Sequence, residues 1–534
     1  MAQRIFTLAV LLTVPLGLSA PVAYAPGSSQ DGGTKLRFEV SVASGLLEQP
    51  RDGRLLLVIG NRATGEPRFG MGRVDKGTSP LLGVDAHAIT SDSKVIVDEK
   101  AAIFPLAHLS QLKPGKYRVQ AVLHTNRDLN IPNAPGNLYS DPVAMELDPA
   151  RGGSYSLTLS HQIFNDELPA ETQYVKYVKI KSDLLSKFHG RPMYLRAGVI
   201  LPKDFATDTE RRYPLWLRIG GYGTRFTGVG RMMADDARFR KLWLDNRAPQ
   251  MILLFTDGAG PYGDPYQVNS ANVGPLGDAI TKELIPLVEK RFRGIGQPYA
   301  RVVEGHSTGG WVSLALQVFY PDFFNGCWSH APDPVDFRAY ELIDIYKDDN
   351  AYADSNGRER AAMRNLAGNT LTTVRHETQL EKVLGRGNRW ELSGKDWCAW
   401  NAVFGPRGED GLPRPLWDGQ TGKIDKSVIE HWKKYDLRRV LQGNWPALAP
   451  KLKGKIRIWV GEMDDYFLNN AVHLLDDFLS KADPPYEGKI TYGPRQGHGW
   501  RGLSDKQMME DMARTIEKGR SAAQSSTGAF QNRK

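Results

Sequence analysis

From about Val175 the chain alternates short apolar runs with stretches of helical spacing, and this rhythm constrains the fold more than any other feature. YVKYVKI, MYLRAGVIL, PLWLRIGG and MILLFTDG read as four strands. LGDAITKELIPLVEKRF follows, with Ala279, Leu284, Ile285, Val288 and Phe292 on one helical face. RVVEG is a fifth strand with a helix over Trp311 to Phe319 behind it, and FNGCWSHA is a sixth. KIRIWVG and KITYG come much later as the seventh and eighth, and a helix over Asp505 to Lys518 closes the series. Strands interleaved with helices predict an α/β domain over 175–520, built on a mostly parallel sheet covered on both faces. The final stretch, 521–534, reads as a disordered tail.

The preceding block has a different character. LRFEVSV, RLLLVIG, KPGKYRVQAVLH and SYSLTLSH are strands at short spacing with no helix between them. They predict a small all-β immunoglobulin-like sandwich domain over 36–162. It holds no cluster of catalytic residue types, so an accessory or substrate-orienting role is expected. Further upstream, Arg4, an apolar run from Ile5 to Leu18 and the small residues Gly17, Ser19, Ala20, Ala23 and Ala25 read as a signal peptide over 1–25. Residues 26–35 are linker-like, and an exported protein, periplasmic or extracellular, is expected. No second apolar run of spanning length follows, so no membrane span is expected in the mature protein. The net charge of +9 is spread along the 534 residues without a Lys/Arg block, which argues against a nucleic-acid partner. Two cysteines, Cys327 and Cys398, permit one bridge at most, and a buried free thiol is the other reading.

The chemistry centres on Gly305-His306-Ser307-Thr308-Gly309. A bare G-x-S-x-G is a weak signal, but here an apolar strand (Val302, Val303) runs into it and a helix leaves it. That context is what a sharp strand-to-helix turn exposing a serine oxygen requires. A serine hydroxyl needs a base to take its proton, and the base needs an acid to orient it. In an α/β-hydrolase fold these follow in the order Ser, Asp, His, after the seventh and eighth strands. IRIWVGEMDD offers Asp464, with Asp465 and Glu462 as alternatives, and KITYGPRQGHG offers His498. The oxyanion needs two amides. One is expected from Thr308 and the other from Gly221 or Tyr222, in the glycine-rich loop after the third strand.

Strand–GHSTGG–helix–YPDFF, with GDAITKELIPLVEKRFR upstream, resembles the esterase D-like group of α/β-hydrolases, which includes S-formylglutathione hydrolase, feruloyl esterases, enterochelin esterases and mycolyltransferases. The resemblance covers roughly 175–520 and is strongest around 270–330. It implies a cofactor-free serine hydrolase with Ser307, Asp464 and His498 at the matching positions. Methionine is frequent after the serine in this group, where this chain has Thr308. The chain as a whole looks most like an exported esterase with an added N-terminal β-domain.

Between the sixth and seventh strands lies an insertion of about 337–452, expected to form a large lid over Ser307. It carries Trp390, Trp397, Trp400, Trp417, Trp432 and Trp445, half of the tryptophans in the chain. Most are expected to be the core of the lid, with one or two, Trp417 among them, lining a cleft. His306, Asn269 and Asn272 are further candidate substrate contacts. Gly258-x-Gly260-x-x-Gly263 imitates a dinucleotide fingerprint, but Pro261 and Pro265 forbid the helix it needs. His330, Asp333 and Asp336 lack metal-ligand spacing and read as loop caps, so no metal is expected. The expected reaction is hydrolysis of a small-molecule or glycan-linked carboxylic ester through an acyl-enzyme. A prolyl oligopeptidase-like peptidase and an acyltransferase are the enzymatic alternatives, and a non-catalytic binding protein on a hydrolase scaffold is the alternative of another class.

Overall fold

In the computed structural model, which describes residues 33–531 apart from 62–63, 75–76 and 165–167, all eight expected strands join one sheet. They are β1 Val175–Ser182, β2 Met193–Ile200, β3 Leu215–Ile219, β4 Ile252–Thr256, β5 Arg301–His306, β6 Cys327–His330, β7 Ile456–Gly461 and β8 Lys489–Gly493. Their spatial order is β1-β2-β4-β3-β5-β6-β7-β8. β1 and β2 run antiparallel to each other and β2 antiparallel to β4, while every later pair is parallel. β4 is buried at all five positions, as a strand covered on both faces must be.

Two helices cover this sheet near its centre. The first, α1, runs from Leu276–Ala279 through Ile285–Arg291, with a wider π turn at Ile280–Leu284. Pro286 lacks the amide that would close the ordinary ladder there. Its expected apolar face is buried throughout. The second, α2, spans Thr308–Phe319 directly after β5.

The segment between β6 and β7 folds into a hairpin (Ala361–Arg364 with Thr370–Thr373) and several helices, including α3 Val374–Leu384 and α4 Asp396–Phe404. All six of its tryptophans are buried. A last helix, α5, spans Asp505–Gln531. It continues past the point where a disordered tail is expected from 521. Ala522 and Ala523 favour helix where the tail is expected to begin, and Arg520 pairs with Glu517 one turn back at 2.8 Å.

The N-terminal block is all-β, with nine strands from Leu36–Val42 to Gly153–Gln162 joined by hydrogen bonds. Strand Arg51–Gly60 explains how it is anchored. Its unbroken apolar run LLLVI is buried on both faces. Leu55, Leu57 and Ile59 enter the block's own core, while Leu56 and Val58 pack against Leu380, Val383 and Leu384 of α3. Arg54, itself buried, donates to the Val383 carbonyl at 2.8 and 3.0 Å and pairs with Asp85 at 3.0 Å. The signal peptide expected at 1–25 and nearly all of the 26–35 linker lie outside the described residues. Among the described residues no helix is long and apolar enough to cross a membrane.

Candidate active site

Ser307 stands at the turn between β5 and α2 with φ 61° and ψ −124°, a conformation side chains rarely adopt. The flanking glycines make the turn possible. A Cβ on Gly305 would lie 2.1 Å from the Gly309 carbonyl oxygen, and one on Gly309 would lie 2.3 Å from that of Ile219. Gly309 therefore lets α2 start against the end of β3, which brings the Gly221 loop alongside the serine. A Cβ on Gly221 would come within 3.8 Å of Ser307 Cβ. That loop is held from behind, where the Gly223 amide donates to Asp264 Oδ2 at 3.0 Å and Arg225 grips Asp257 at 2.6 and 3.1 Å. Burial pushes the Asp264 carboxyl up to about 8. Asp257 and Asp264, at the two ends of the Gly258–Gly263 stretch, thus brace the loop beside the serine.

His498 Nδ1 lies 2.8 Å from Asp464 Oδ2. Asp464 is fully buried, and its Oδ1 accepts from the amides of Tyr466 at 3.0 Å and Leu468 at 3.2 Å. The two alternatives sit elsewhere. Asp465 accepts from the His498 backbone amide at 3.3 Å, and Glu462 pairs with His473 at 3.0 Å. Burial alone would lower the His498 pKa. The hydrogen bond and charge of Asp464, with Asp333 and Asp465 adding to them, outweigh it and raise His498 above its ordinary value.

Ser307, Thr308, Tyr222 and His498 line one cavity of about 260 Å³. Trp397 and Trp400 from α4 form part of its wall, and Gly72 and Val74 of the N-terminal block close another side. Other expected contacts are not there. His306 instead donates from Nε2 to the His498 carbonyl at 2.7 Å, and burial, then the neighbouring His498 charge, push its own pKa down to about 4. Asn272 ties down the Ala402 and Gly405 carbonyls at 2.8 and 3.0 Å, and Asn269 accepts from the Asp278 amide at 3.0 Å. Trp417 stacks on Trp390 with ring centroids 4.6 Å apart and belongs to the insertion's core. Cys327 and Cys398 are both free and buried.

Asp333 is the residue that sequence reasoning misplaced. Asp336 does cap a turn, accepting from the Arg338 amide at 3.0 Å. Asp333, three residues earlier, is buried under the nucleophile. It accepts from Ser307 Oγ at 3.5 Å, Thr308 Oγ1 at 3.0 Å and the Tyr266 hydroxyl, and Trp400 Nε1 lies 3.3 Å away. Burial pushes its carboxyl up to about 6 against the pull of those donors. Its proximity in sequence to the end of β6, beside β5, was the only available signal.

Residues 194–407 match the family model described as "Putative esterase". No curated protein matches the sequence. Among solved structures, an S-formylglutathione hydrolase from Staphylococcus aureus shares 16% identity, covers 64% of this chain and 100% of its own, and gives a TM-score of 0.36. A ferulic acid esterase from Anaeromyces mucronatus shares 14% over 63% of this chain and 89% of its own, with a TM-score of 0.29. Dipeptidyl peptidase 4 of Porphyromonas gingivalis shares 13% over 83% of this chain and 46% of its own, with a TM-score of 0.36.

Proposed function

We infer that this chain, a carboxylic ester hydrolase by the family of its residues 194–407, works as a serine esterase through Ser307, His498 and Asp464. The observation that carries the reading is the strained Ser307 turn sharing a cavity with a histidine held at Nδ1 by a buried carboxylate. Ser307 attacks the ester carbonyl while His498 Nε2 takes its proton and then passes it to the departing alcohol. Asp464 keeps the proton of the neutral imidazole on Nδ1 and stabilises the imidazolium that forms. The amide of Thr308 and one from the Gly221–Tyr222 loop receive the oxyanion, and water, activated by the same histidine, releases the acid. The Ser307 hydroxyl faces Asp333 Oδ1 at 3.5 Å, so attack requires it to turn from Asp333 to His498.

On this reading residues 337–452 act as a lid, and the 36–162 block, an immunoglobulin-like domain, buttresses it. The apolar run from Ile5 to Leu18 and the small residues after it support export to a periplasm or beyond. The test is a panel of p-nitrophenyl esters of rising acyl length, methyl ferulate and a proline-based peptide amide, with Ser307→Ala alongside. Ester turnover that falls at least about 10³-fold in the variant is the expected result. Turnover of the peptide alone would move the chain to the peptidases. Turnover of nothing, with no phosphonate labelling of Ser307, would make it a binding protein.

A further inference from the structure

The cavity over Ser307 is lined by five acidic side chains, Asp333, Glu341, Glu377, Glu381 and Asp396, against two basic ones, Lys395 and the catalytic candidate His498. Some of these acids are already employed by the protein. Glu381 accepts from Ser393 and from the amides of Trp397 and Cys398, and Glu377 accepts from Trp397 Nε1 at 2.9 Å. Glu341 is not. It is 4% exposed and its Oε2 is buried with no hydrogen-bond partner. Its backbone is held at φ 53°, a strained conformation for a non-glycine residue and one that tends to be kept where a side chain must be aimed. A buried carboxyl oxygen that no protein group partners is costly, and because Glu341 lines the cavity it is the acid there left able to receive a donor from a bound molecule.

The charge of that ligand follows from the surroundings. Burial raises the Glu341 pKa most, and the charges that add to it are all carboxylates: Glu377, Asp396, Asp333 and Asp464. These influences hold Glu341 towards its protonated form, and an ammonium entering here supplies the countercharge that lets the carboxyl ionise, which a neutral hydroxyl donor does not. Among the described residues no three His, Cys, Asp or Glu side chains converge closely enough to hold a metal ion. Acceptors spread around a cavity suit an organic ammonium, whose separate N–H bonds reach separate oxygens. Tyr222, Trp397, Trp400 and Tyr466 supply aromatic walls that favour a cation further.

We propose that the Ser307 cavity recognises esters carrying a primary ammonium group, and that Glu341 and Asp396 receive that group. The inference rests on the esterase reading of the same site, and its test is separable from that reading. Calorimetry on Ser307→Ala compares n-pentylammonium, 1-pentanol and a methyl glucoside as probes. The ammonium binds at least about tenfold tighter than the alcohol. Adding Glu341→Gln weakens it about tenfold or more, and so, independently and from a different element, does adding Asp396→Asn. With the active enzyme, the kcat/KM ratio of an ω-aminohexanoyl to a hexanoyl p-nitrophenyl ester falls in both variants. A parallel pair of 2-aminoethyl and ethyl esters shows whether the ammonium belongs to the acyl or the alcohol side. Equal binding of pentanol and pentylammonium overturns the proposal, as does binding of the glucoside without the ammonium. Ammonium binding by a chain that hydrolyses no ester would sink the esterase reading and leave the recognition standing. Hydrolysis of neutral esters with no response to the ammonium would do the reverse.

Discussion

Replacing Asp464 with asparagine tests the proposed histidine–carboxylate arrangement through a change of one atom. The Asp464 Oδ1 position accepts two backbone amides, while Oδ2 faces His498 Nδ1. Asparagine retains one acceptor oxygen, and the two amides hold it at the Oδ1 position. Its NH2 group then faces His498 Nδ1, and because two N–H groups cannot face each other, the imidazole carries its proton on Nε2. That nitrogen can no longer take a proton from Ser307. Loss of a general base costs about 10²–10⁴ in rate. A buried side chain that enforces the wrong tautomer belongs at the upper end, about 10³–10⁴, or roughly 4–5 kcal/mol of transition-state stabilisation. The pH profile moves too. Activity needs neutral His498, so wild-type kcat/KM rises with pH through a midpoint above the ordinary histidine value, in the direction Asp464 pushes it. In Asp464→Asn the upward push from the carboxylate is gone while burial remains, so the midpoint moves down. The assay is kcat/KM on a neutral p-nitrophenyl ester from pH 5 to 9, with thermal unfolding as the check on folding. A loss below tenfold, or an unmoved midpoint, would refute the assignment. Asp465→Asn, whose carboxylate meets only the His498 backbone amide at 3.3 Å, stays within about tenfold of wild type.

Two further substitutions probe how the site is built. Gly309→Ala places a methyl 2.3 Å from the Ile219 carbonyl oxygen and 2.6 Å from that of Gly220, both backbone atoms. It costs about 3 kcal/mol or more in urea unfolding and lowers kcat/KM as β3 and α2 are forced apart; wild-type stability would contradict the close approach described. Arg54→Met keeps the apolar stem but drops the bonds to the Val383 carbonyl and Asp85, costing about 2–3 kcal/mol. Because α3 carries Glu377, Leu380 and Glu381 of the cavity wall, KM rises more than kcat falls; an unchanged KM would show that the N-terminal block does not set the shape of the site.

What could be read from the sequence divides along a physical line. The eight strands, the helix behind Ser307 and the Asp464–His498 pairing follow from local patterns: apolar runs, the glycine-flanked turn and residues just past strand ends. The Arg51–Gly60 strand is legible as a short apolar run, yet nothing local says that it is buried on both faces or that α3 supplies the second one. The substrate-facing residues were harder still. Asn269, Asn272 and Trp417 have suitable chemistry, but which residues reach the cavity depends on how some 120 inserted residues pack, and that packing has no period to read. Asp333 reads as a cap like Asp336 because the two are the same residue type in one loop after the sixth strand. Only the approach of Tyr266, Thr308 and Trp400 separates them.

The same packing decides how the cavity can change shape. Leu56, Val58, Leu81 and Phe104 of the N-terminal block are buried against Leu380, Val383 and Leu384 of α3. At about 1.5–3 kcal/mol for each fully exposed side chain, pulling these surfaces apart costs on the order of 10 kcal/mol. That equals the stability of an ordinary domain, so the N-terminal block cannot act as a door. It is a fixed wall that carries Gly72 and Val74 to the cavity and holds α3 in place. Glu377 and Glu381 on α3 are therefore rigidly placed, and so is Trp397, which is tied to both of them. Acids held this close on a rigid support cannot move apart, so they relieve their repulsion by keeping protons: burial raises Glu377 to about 8 and pushes Glu341 and Glu381 up as well. A cationic substrate bound among them drives protons off, so on the proposal above its binding strengthens as pH rises, and the buttress at Arg54, by fixing α3, is coupled to substrate selection at Glu341.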